Sequence, residues 1–343
     1  MVEQKRKPDE VIEAYYAGLE PFWHPVIPSE DLSDGPAGVE LLGRRLVLVR
    51  LDGEASAFDD VCRHLGAALS IGEVVGEGSY LRCRYHGWSY DKTGRCVDIP
   101  ARRDAAIPRE AKVRAYHTRE TYGLVWVCLA DEPGYEPHAF PEFEDELFRK
   151  GPLRTYGPWR ASAPRIVMAA LDDTHFPWVH PGILGDPDHP EPPDHHAYRE
   201  GDYIVSTYDM LQPANDTVST SGGDGALEKV TYTNYATPTG IRLVKDSAAG
   251  TYIIWQVACP VEHDRSVIFS RQARTFDTDP ARDAEYERLQ DTILDQDRPI
   301  VESQRPWLLP PLSSRMMLYV RPADLPLVAY QKWLEELDIP QEV

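Results

Sequence analysis

The sequence predicts an α+β protein with two domains: a small antiparallel β domain, then a larger domain in which a long helix packs on a sheet. The chain has 343 residues, enough for about two domains of ordinary size. Short β-type segments separated by turn residues fill 23–129. Further strand-like segments are followed by a helical pattern over 280–304, an order typical of α+β domains.

The first domain is predicted from its turns. Residues 1–20 have a helical pattern that stops at Gly18 and Pro21, and we place the β domain at 21–131. Its clearest strands are 44–50, 79–82 and 122–128. Between the strands lie hairpin-type turns at Asp52-Gly53, 76–78 and 92–94.

A Pro- and acid-rich linker is predicted over 132–152, and the second domain over 153–343. This domain begins with a short helical pattern at 166–175 and a Pro/His/Asp-rich loop at 181–196. Its strands are expected at 203–208, 230–235 and 251–258. Asp279 is placed as the N-cap of the long helix, with Pro280 in the first turn.

Composition and charge exclude several classes of protein. Hydrophobic residues make up 42% and charged residues 27%, and no apolar run approaches the ~20 residues of a membrane span. The polar N-terminus and five scattered cysteines predict a cytoplasmic protein without a disulfide framework. The net charge of −20 argues against nucleic acid as a partner. The segment 62–119 is locally basic, either to dock an acidic electron carrier or as a solvated surface facing an acidic domain.

Two Cys/His pairs indicate a first metal site. Cys62 and His64 form one pair, Cys83 and His86 the other, with eighteen residues between His64 and Cys83. Two loops could thus present two thiolates and two imidazoles, a set that suits structural zinc. The alternative is a [2Fe–2S] cluster with two cysteines on one iron and two histidines on the other. Trp88 follows a ligand of the second pair and is expected to shield the site from water.

Two histidines five residues apart indicate a second site. His175 and His180 could not share one face of an unbroken helix, so we expect Pro177 to break the helix between them. Asp172 precedes His175 by three residues, which allows a hydrogen bond between their side chains.

A third ligand is predicted in the long helix. An apolar stripe there runs through Leu289, Ile293, Ile300 and Gln304, and Asp297 interrupts it. A carboxylate facing a core is costly unless it binds a cation or a proton. The alternative is an inward aspartate in a salt bridge near a kink at Pro299.

These motifs resemble a known family. C-x-H followed by C-x-x-H-G-W resembles the Rieske cluster motif, and the resemblance continues through 120–129, Asp172-x2-His175-x4-His180 and the helix from Gln296. Together they are similar to Rieske non-heme iron oxygenases. They most resemble the one-subunit type that includes caffeine N-demethylases, saxitoxin-pathway hydroxylases and toluenesulfonate methyl-monooxygenase. The resemblance implies a Rieske β-sandwich and a helix-grip catalytic domain, an antiparallel sheet around a long helix.

The resemblance also implies site roles and partners. The cluster ligands would be Cys62, His64, Cys83 and His86, and the ligands of a mononuclear Fe(II) would be His175, His180 and Asp297. Asp172 would bridge to a cluster histidine of the next subunit in a homotrimer and serve electron transfer. The implied partners are O₂, a small organic substrate and a flavin-dependent reductase, acting directly or through a ferredoxin.

The implied activity is monooxygenation by an oxygenase component, as C–H hydroxylation or O-/N-demethylation. Arene cis-dihydroxylation is the alternative reaction, and a Rieske electron-transfer protein without oxygenation is the alternative class. Ala169 stands where many relatives have Asn, so pocket details are expected to differ.

The remaining polar and sulfur-bearing residues are interpreted as structural. The loop histidines His189, His195 and His196 are expected in a mobile acidic loop, and Ser219–Gly225 is expected to be a flexible loop. Buried, inert thiols are expected for the remaining cysteines: Cys96, Cys128 and Cys259.

Overall fold

The computed structural model of the chain describes residues 8–33, 35–213 and 227–339. The chain divides between Pro137 and His138 into two compact units. This division falls inside the segment 132–152 that the sequence suggests as a linker. The first helix, α1 (Pro8–Leu19), groups with the residues from His138 onward. Across the described ranges, no helix combines the length and hydropathy needed to cross a membrane.

The unit Glu20–Pro137 is built from short antiparallel strands. They are β1 (His24–Pro28), β2 (Ala37–Leu41), β3 (Arg44–Leu51), β4 (Glu54–Asp59), β5 (Glu73–Val75), β6 (Tyr80–Arg82), β7 (Ser89–Tyr90), β8 (Cys96–Asp98), β9 (Ala115–Thr121) and β10 (Leu124–Cys128). A six-stranded sheet has the order β1-β10-β9-β4-β3-β2, and a four-stranded sheet has the order β5-β6-β7-β8. One apolar cluster, including Val47, Phe58 and Leu81, joins strands of both sheets. The antiparallel β domain expected from the sequence is confirmed.

Two-residue turns set the register of the larger sheet. Asp52 and Gly53 both have positive φ, 52° and 81°, which matches the right-handed twist of a hairpin. Tyr122 and Gly123 repeat this geometry at 57° and 78°. The predicted strand start at Tyr122 was therefore wrong, because Tyr122 lies in a turn and β10 begins at Leu124.

The second unit combines antiparallel strands with helices. Its strands are β11 (Arg149–Lys150), β12 (Arg154–Trp159), β13 (His196–Glu200), β14 (Tyr203–Pro213), β15 (Leu227–Thr237), β16 (Gly240–Ser247), β17 (Gly250–Glu262) and β18 (Arg265–Arg274). Its further helices are α2 (Ala163–Leu171), α3 (Phe176–Val179), α4 (Asp283–Ser303) and α5 (Leu325–Glu336). The predicted loop 219–225 lies outside the described residues.

These strands form one antiparallel sheet, and α4 packs against its inner face. The sheet order is β11-β18-β17-β16-β15-β14-β13, with β12 also paired to β18. Leu294 and Val301 of α4 share an apolar cluster with Ile166 of α2 and Ile268 of β18. Asp279 is an N-cap as predicted, since its carboxylate accepts a hydrogen bond from the Ala281 N–H at 2.9 Å. It caps the 3₁₀ turn Pro280–Arg282, however, and α4 begins only after that turn, at Asp283.

Candidate metal centres and substrate cavity

Two similar loops carry the Cys/His pairs. In the first, the Cys62 N–H donates to the Ala67 carbonyl (2.7 Å) and the Gly66 N–H donates to the Cys62 carbonyl (2.9 Å). The second repeats both bonds, from Cys83 to Trp88 (2.8 Å) and from Gly87 to Cys83 (3.0 Å). Each glycine has φ of 75°, a backbone conformation that favours glycine. The spacing C-x-H-x-G and C-x-x-H-G therefore encodes two closed turns of the same type.

The four side chains of the two Cys/His pairs differ in their burial. The thiols of Cys62 and Cys83 are buried, whereas the imidazoles of His64 and His86 are exposed. The two Nδ1 atoms lie 3.2 Å apart, and the ring of His64 stacks on Trp88 with centroids 4.8 Å apart. The sulfur end is thus enclosed and the nitrogen end is open to solvent.

The donor set fits a [2Fe–2S] group. Burial raises the pKa of the Cys62 thiol, although the neighbouring Tyr90 hydroxyl, with its oxygen 3.2 Å from Sγ, opposes this shift. Buried thiolates need a cation, and two facing thiols beside two facing imidazole nitrogens supply one pair of donors to each iron.

The second pair of histidines brackets a single helical turn. His175 lies just before α3 and His180 just after it, and the His180 N–H donates to the Phe176 carbonyl at 3.0 Å. Pro177 occupies the first turn of α3, where a missing N–H is tolerated. The expectation that Pro177 breaks a helix was therefore wrong. The break falls earlier, at Asp172, whose extended backbone ends α2.

The structure brings the three predicted ligands of the second site together. His175, His180 and Asp297 offer ligand atoms that all lie within 4.8 Å of one another. Asp297 Oδ1 is 2.9 Å from His180 Nε2 and 3.6 Å from His175 Nε2. Two nitrogens and a carboxylate in this arrangement can hold a transition metal and leave other positions open.

A hydrogen bond at Nδ1 of each imidazole determines that Nε2 is the nitrogen able to bind a metal. The His180 Nδ1–H donates to Gln296 Oε1 at 2.7 Å, and the His175 Nδ1–H donates to Asp172 Oδ2 at 3.3 Å. Both Nε2 atoms then carry a lone pair towards Asp297, and no described residue donates a hydrogen bond to buried His180 Nε2. Three acceptors that converge on one point fit a metal cation.

Asp172 is held on both carboxylate oxygens. Its Oδ1 accepts hydrogen bonds from the Thr174 N–H at 2.9 Å and the Thr174 hydroxyl at 2.6 Å. Burial alone would raise the pKa of Asp172, but the hydrogen bonds from His175 and Thr174 lower it. Burial opposes the charge on His175 as well, and the neighbouring Asp172 raises its pKa. The predicted contact between the two side chains is confirmed.

One loop histidine is part of this region. His195 is buried, and its Nε2 lies 2.9 Å from Oδ1 of the equally buried Asp173. The expectation that His195 belongs to a mobile surface loop was wrong, because this buried pair attaches the loop to the segment between α2 and α3. His189 is exposed, with its Nδ1 2.8 Å from Oδ2 of Asp186 in its own turn, while exposed His196 begins β13.

A cavity of about 140 Å³ opens on the triad from between α4 and the sheet. Leu289, Ile293 and Asp297 line it as the predicted stripe requires. Ile300 does not, since it is half exposed and Val301 takes its place. The lining at this end of the helix follows the neighbouring row Gln290, Leu294 and Val301 instead, in which the first and last residues are eleven apart and so lie within about 20° of one face.

The comparisons with known proteins follow this geometry. Residues 22–117 match the Rieske [2Fe-2S] domain family, and residues 159–338 match the vanillate O-demethylase oxygenase C-terminal domain. The chain belongs to the Rieske oxygenase family. It is 32% identical to methylxanthine N1-demethylase NdmA of Pseudomonas putida over 93% of this chain and 89% of that protein. Identity to methylxanthine N3-demethylase NdmB of the same organism is 31%, over 94% and 90%.

A solved structure shows the same likeness in three dimensions. The NdmA structure with caffeine from Pseudomonas putida superposes with a TM-score of 0.81 at 31% identity, covering 95% of this chain and 92% of that one. This Rieske oxygenase is therefore an oxidoreductase with a Rieske [2Fe–2S] cluster and a mononuclear iron. It is a monooxygenase component that takes its electrons from a separate reductase. The predicted fold class and family are confirmed.

Several residues of the site escaped the sequence prediction. Gln296 contacts His180, Tyr90 contacts Cys62 and Asp173 pairs with His195, but each is distant in sequence from its partner and carries no spacing signal. Lys245 lines the cavity. Its signal was the alternation of β16, in which Leu243, Lys245 and Ser247 share one face.

Proposed function

We propose that this Rieske oxygenase demethylates a small N-methyl or O-methyl compound by hydroxylating the methyl group. The observation that carries the proposal is the cavity that ends on the His175, His180 and Asp297 side chains. The likeness to two methylxanthine N-demethylases supports a methyl group as the point of attack.

We assign the cluster to Cys62, His64, Cys83 and His86, and the mononuclear iron to His175, His180 and Asp297. The paired loops support the first assignment, and the convergent acceptors support the second. When bound, the cluster supplies single electrons and the iron site activates dioxygen. The balance is one methyl substrate, one O₂, two electrons and two protons, giving the demethylated product, formaldehyde and water.

The chain's own residues prepare this reaction. Asp172 and Gln296 fix the two imidazoles through their Nδ1–H groups, so each Nε2 stays free of a proton. Apolar side chains such as Phe176, Ile293 and Leu294 line the cavity and exclude water from the reacting methyl group.

The assembly we propose is a homotrimer. In it, Asp172 of one subunit accepts a hydrogen bond from a cluster histidine of the next, and couples the two centres. The exposed imidazoles of His64 and His86 support this arrangement, because a neighbour can reach their outer N–H groups. A flavin-dependent reductase, directly or through a ferredoxin, supplies the electrons.

The test is a reconstitution of the holoenzyme with a flavin-dependent reductase, NADH and a panel of N-methyl and O-methyl compounds. We expect one formaldehyde for each O₂ consumed and each NADH oxidised with the coupled substrate. A product that gains two oxygen and two hydrogen atoms, without formaldehyde, would show arene cis-dihydroxylation instead. NADH oxidation without any organic product across the panel would contradict the proposal.

A further inference from the structure

The cavity has a cationic side chain in its wall. Among the described residues that line it, Lys245 of β16 is the one lysine or arginine. The other polar residues of the lining include Glu228, Tyr252 and Gln290. A cation in the wall of an otherwise largely apolar cavity requires a partner, because burial without one is unfavourable.

Strand register places Lys245 within the cavity wall. Lys245 is directly opposite Tyr232 of β15 on one side and Tyr252 of β17 on the other. Directly opposite residues share a face of the sheet, so the lysine stands between two aromatic neighbours on the inner face. The ring of Tyr232 lies beside that of Phe176 in α3, with centroids 6.4 Å apart. Phe176 follows His175 directly, so the strand residues around Lys245 are connected to the triad through Tyr232 and Phe176.

Three polar groups of this wall, on Lys245, Tyr252 and Gln290, have no partner among the described residues. In the part of the chain that the structure describes, no carboxylate lies within 4.0 Å of the Lys245 ammonium and no acceptor receives its hydrogen bond. The Tyr252 hydroxyl and Gln290 Oε1 are buried and form no hydrogen bond with any residue that the structure describes. Burial lowers the pKa of Lys245 to about 8, and Glu228, beyond ion-pair distance, opposes this shift. The ammonium is therefore still mostly charged at neutral pH.

We propose that Lys245 binds an anionic group of the substrate, a carboxylate or a chemically similar anion, and thereby determines substrate specificity. The Tyr252 hydroxyl donates a second hydrogen bond to the same group. The inference rests on the proposed function in one respect: the methyl group of the bound molecule points towards His175, His180 and Asp297. Small planar acids that carry a methoxy or methylamino group fit these requirements.

The experiment measures binding to the holoenzyme by calorimetry, without reductase or turnover. The probes are 4-methoxybenzoate, 4-methoxyphenylacetate and 4-methoxycinnamate, each beside its neutral carboxamide. We expect at least one carboxylate to bind more tightly than its amide by about 10- to 100-fold, the range of a charged hydrogen bond. Lys245→Met abolishes this preference and changes amide binding little, whereas Lys245→Arg retains it.

Two further variants separate charge recognition from stability. Lys229→Met removes an exposed lysine of β15 that pairs with Asp209, and should leave the preference unchanged. Glu228→Gln removes a nearby negative charge from the cavity wall and should tighten carboxylate binding. Iron content and melting temperature confirm that each variant folds.

Equal loss of acid and amide binding in Lys245→Met, or no preference for any carboxylate in the wild type, would overturn the proposal. Matching losses of stability in Lys245→Met and Glu228→Gln, without a change in preference, would show a structural ion pair instead. Formaldehyde release is assayed separately, so a failed demethylation with intact charge preference contradicts only the proposed function.

Discussion

At the scale of single residues, Asp297 places a carboxylate where the other side chains on its face of α4 are mostly apolar. It lies in the cavity wall among apolar side chains, and its carboxylate faces two imidazole nitrogens rather than a cation of the protein. Without a metal, this arrangement concentrates lone pairs in a partly buried space. The residue therefore destabilises the empty site and stabilises the filled one.

We expect Asp297→Ala to lose the mononuclear iron and all measurable turnover while it retains the cluster. Removal of one of three ligands leaves two histidines, which hold a divalent metal weakly. Metal and sulfide analysis should show about two irons per two sulfides, against about three in the wild type. Asp295→Ala is the matched control, since Asp295 is exposed on the opposite side of the same helix. A variant that keeps its third iron would refute the assignment of Asp297.

The residue scale also shows what sequence could predict. Cys62, His64, Cys83 and His86 stand at short, fixed spacings, so their local pattern reveals the site. Asp297 is distant from both histidines in sequence, yet it interrupts a helical stripe, and that anomaly predicted its position beside them. Gln296 and Asp173 had no such signal, because their partners are chosen by tertiary packing alone.

At the scale of elements, the turn glycines of the cluster loops can be compared as a matched pair. Gly66 and Gly87 share φ of 75° and the same hydrogen bonds. A Cβ on Gly66 would meet open space, whereas a Cβ on Gly87 would lie 2.9 Å from Cγ of Pro100. Alanine at either glycine therefore has the same unfavourable φ, but only at position 87 would its Cβ also clash with a neighbouring side chain.

We expect Gly66→Ala to destabilise the unit 20–137 by about 1–2 kcal/mol, the penalty of a left-handed alanine. Gly87→Ala should cost more and should also reduce cluster content, because Pro100 must move before the loop can close. Thermal unfolding of both variants, followed by the visible absorption of the cluster, measures the difference. Equal losses of stability and cluster content in the two variants would indicate that Pro100 moves aside without a cost in free energy.

The short helix α3 shows the limit of reasoning from periodicity. The spacing of five positions from His175 to His180 predicted an interruption between them, but the interruption lies before both, at Asp172. Its position could not be read from the sequence, because Pro177 is equally compatible with ending a helix and with beginning one. The outcome depends on Asp172, whose side chain is bonded to Thr174 and His175 and so ends α2 before the histidines.

At the scale of the whole molecule, the two units carry different parts of the chemistry. The thiols and imidazoles of the first site all lie in Glu20–Pro137, and the triad and the cavity lie in the other unit. The charge is also unevenly distributed: the stretch 62–119 of the first unit is basic, whereas the whole chain has a net charge of −20. We expect this basic stretch, and not the unit as a whole, to face an acidic redox partner or an acidic neighbouring domain.

The proposed electron path between subunits makes a prediction about mixed oligomers. A protomer with Cys62→Ser lacks the cluster but keeps the triad, and a protomer with Asp297→Ala lacks the iron but keeps the cluster. Each variant alone should be inactive. In a head-to-tail trimer assembled from an equal mixture, a complete cluster faces a complete iron site at about a quarter of the interfaces. Co-expressed protomers with different affinity tags should therefore recover about a quarter of the wild-type formaldehyde release.

Asp172→Asn in the Cys62→Ser protomer should remove that recovery, because its triad then lacks the bridging carboxylate. Mixtures that stay as inactive as either parent, despite verified mixed assembly, would place the electron path within one subunit.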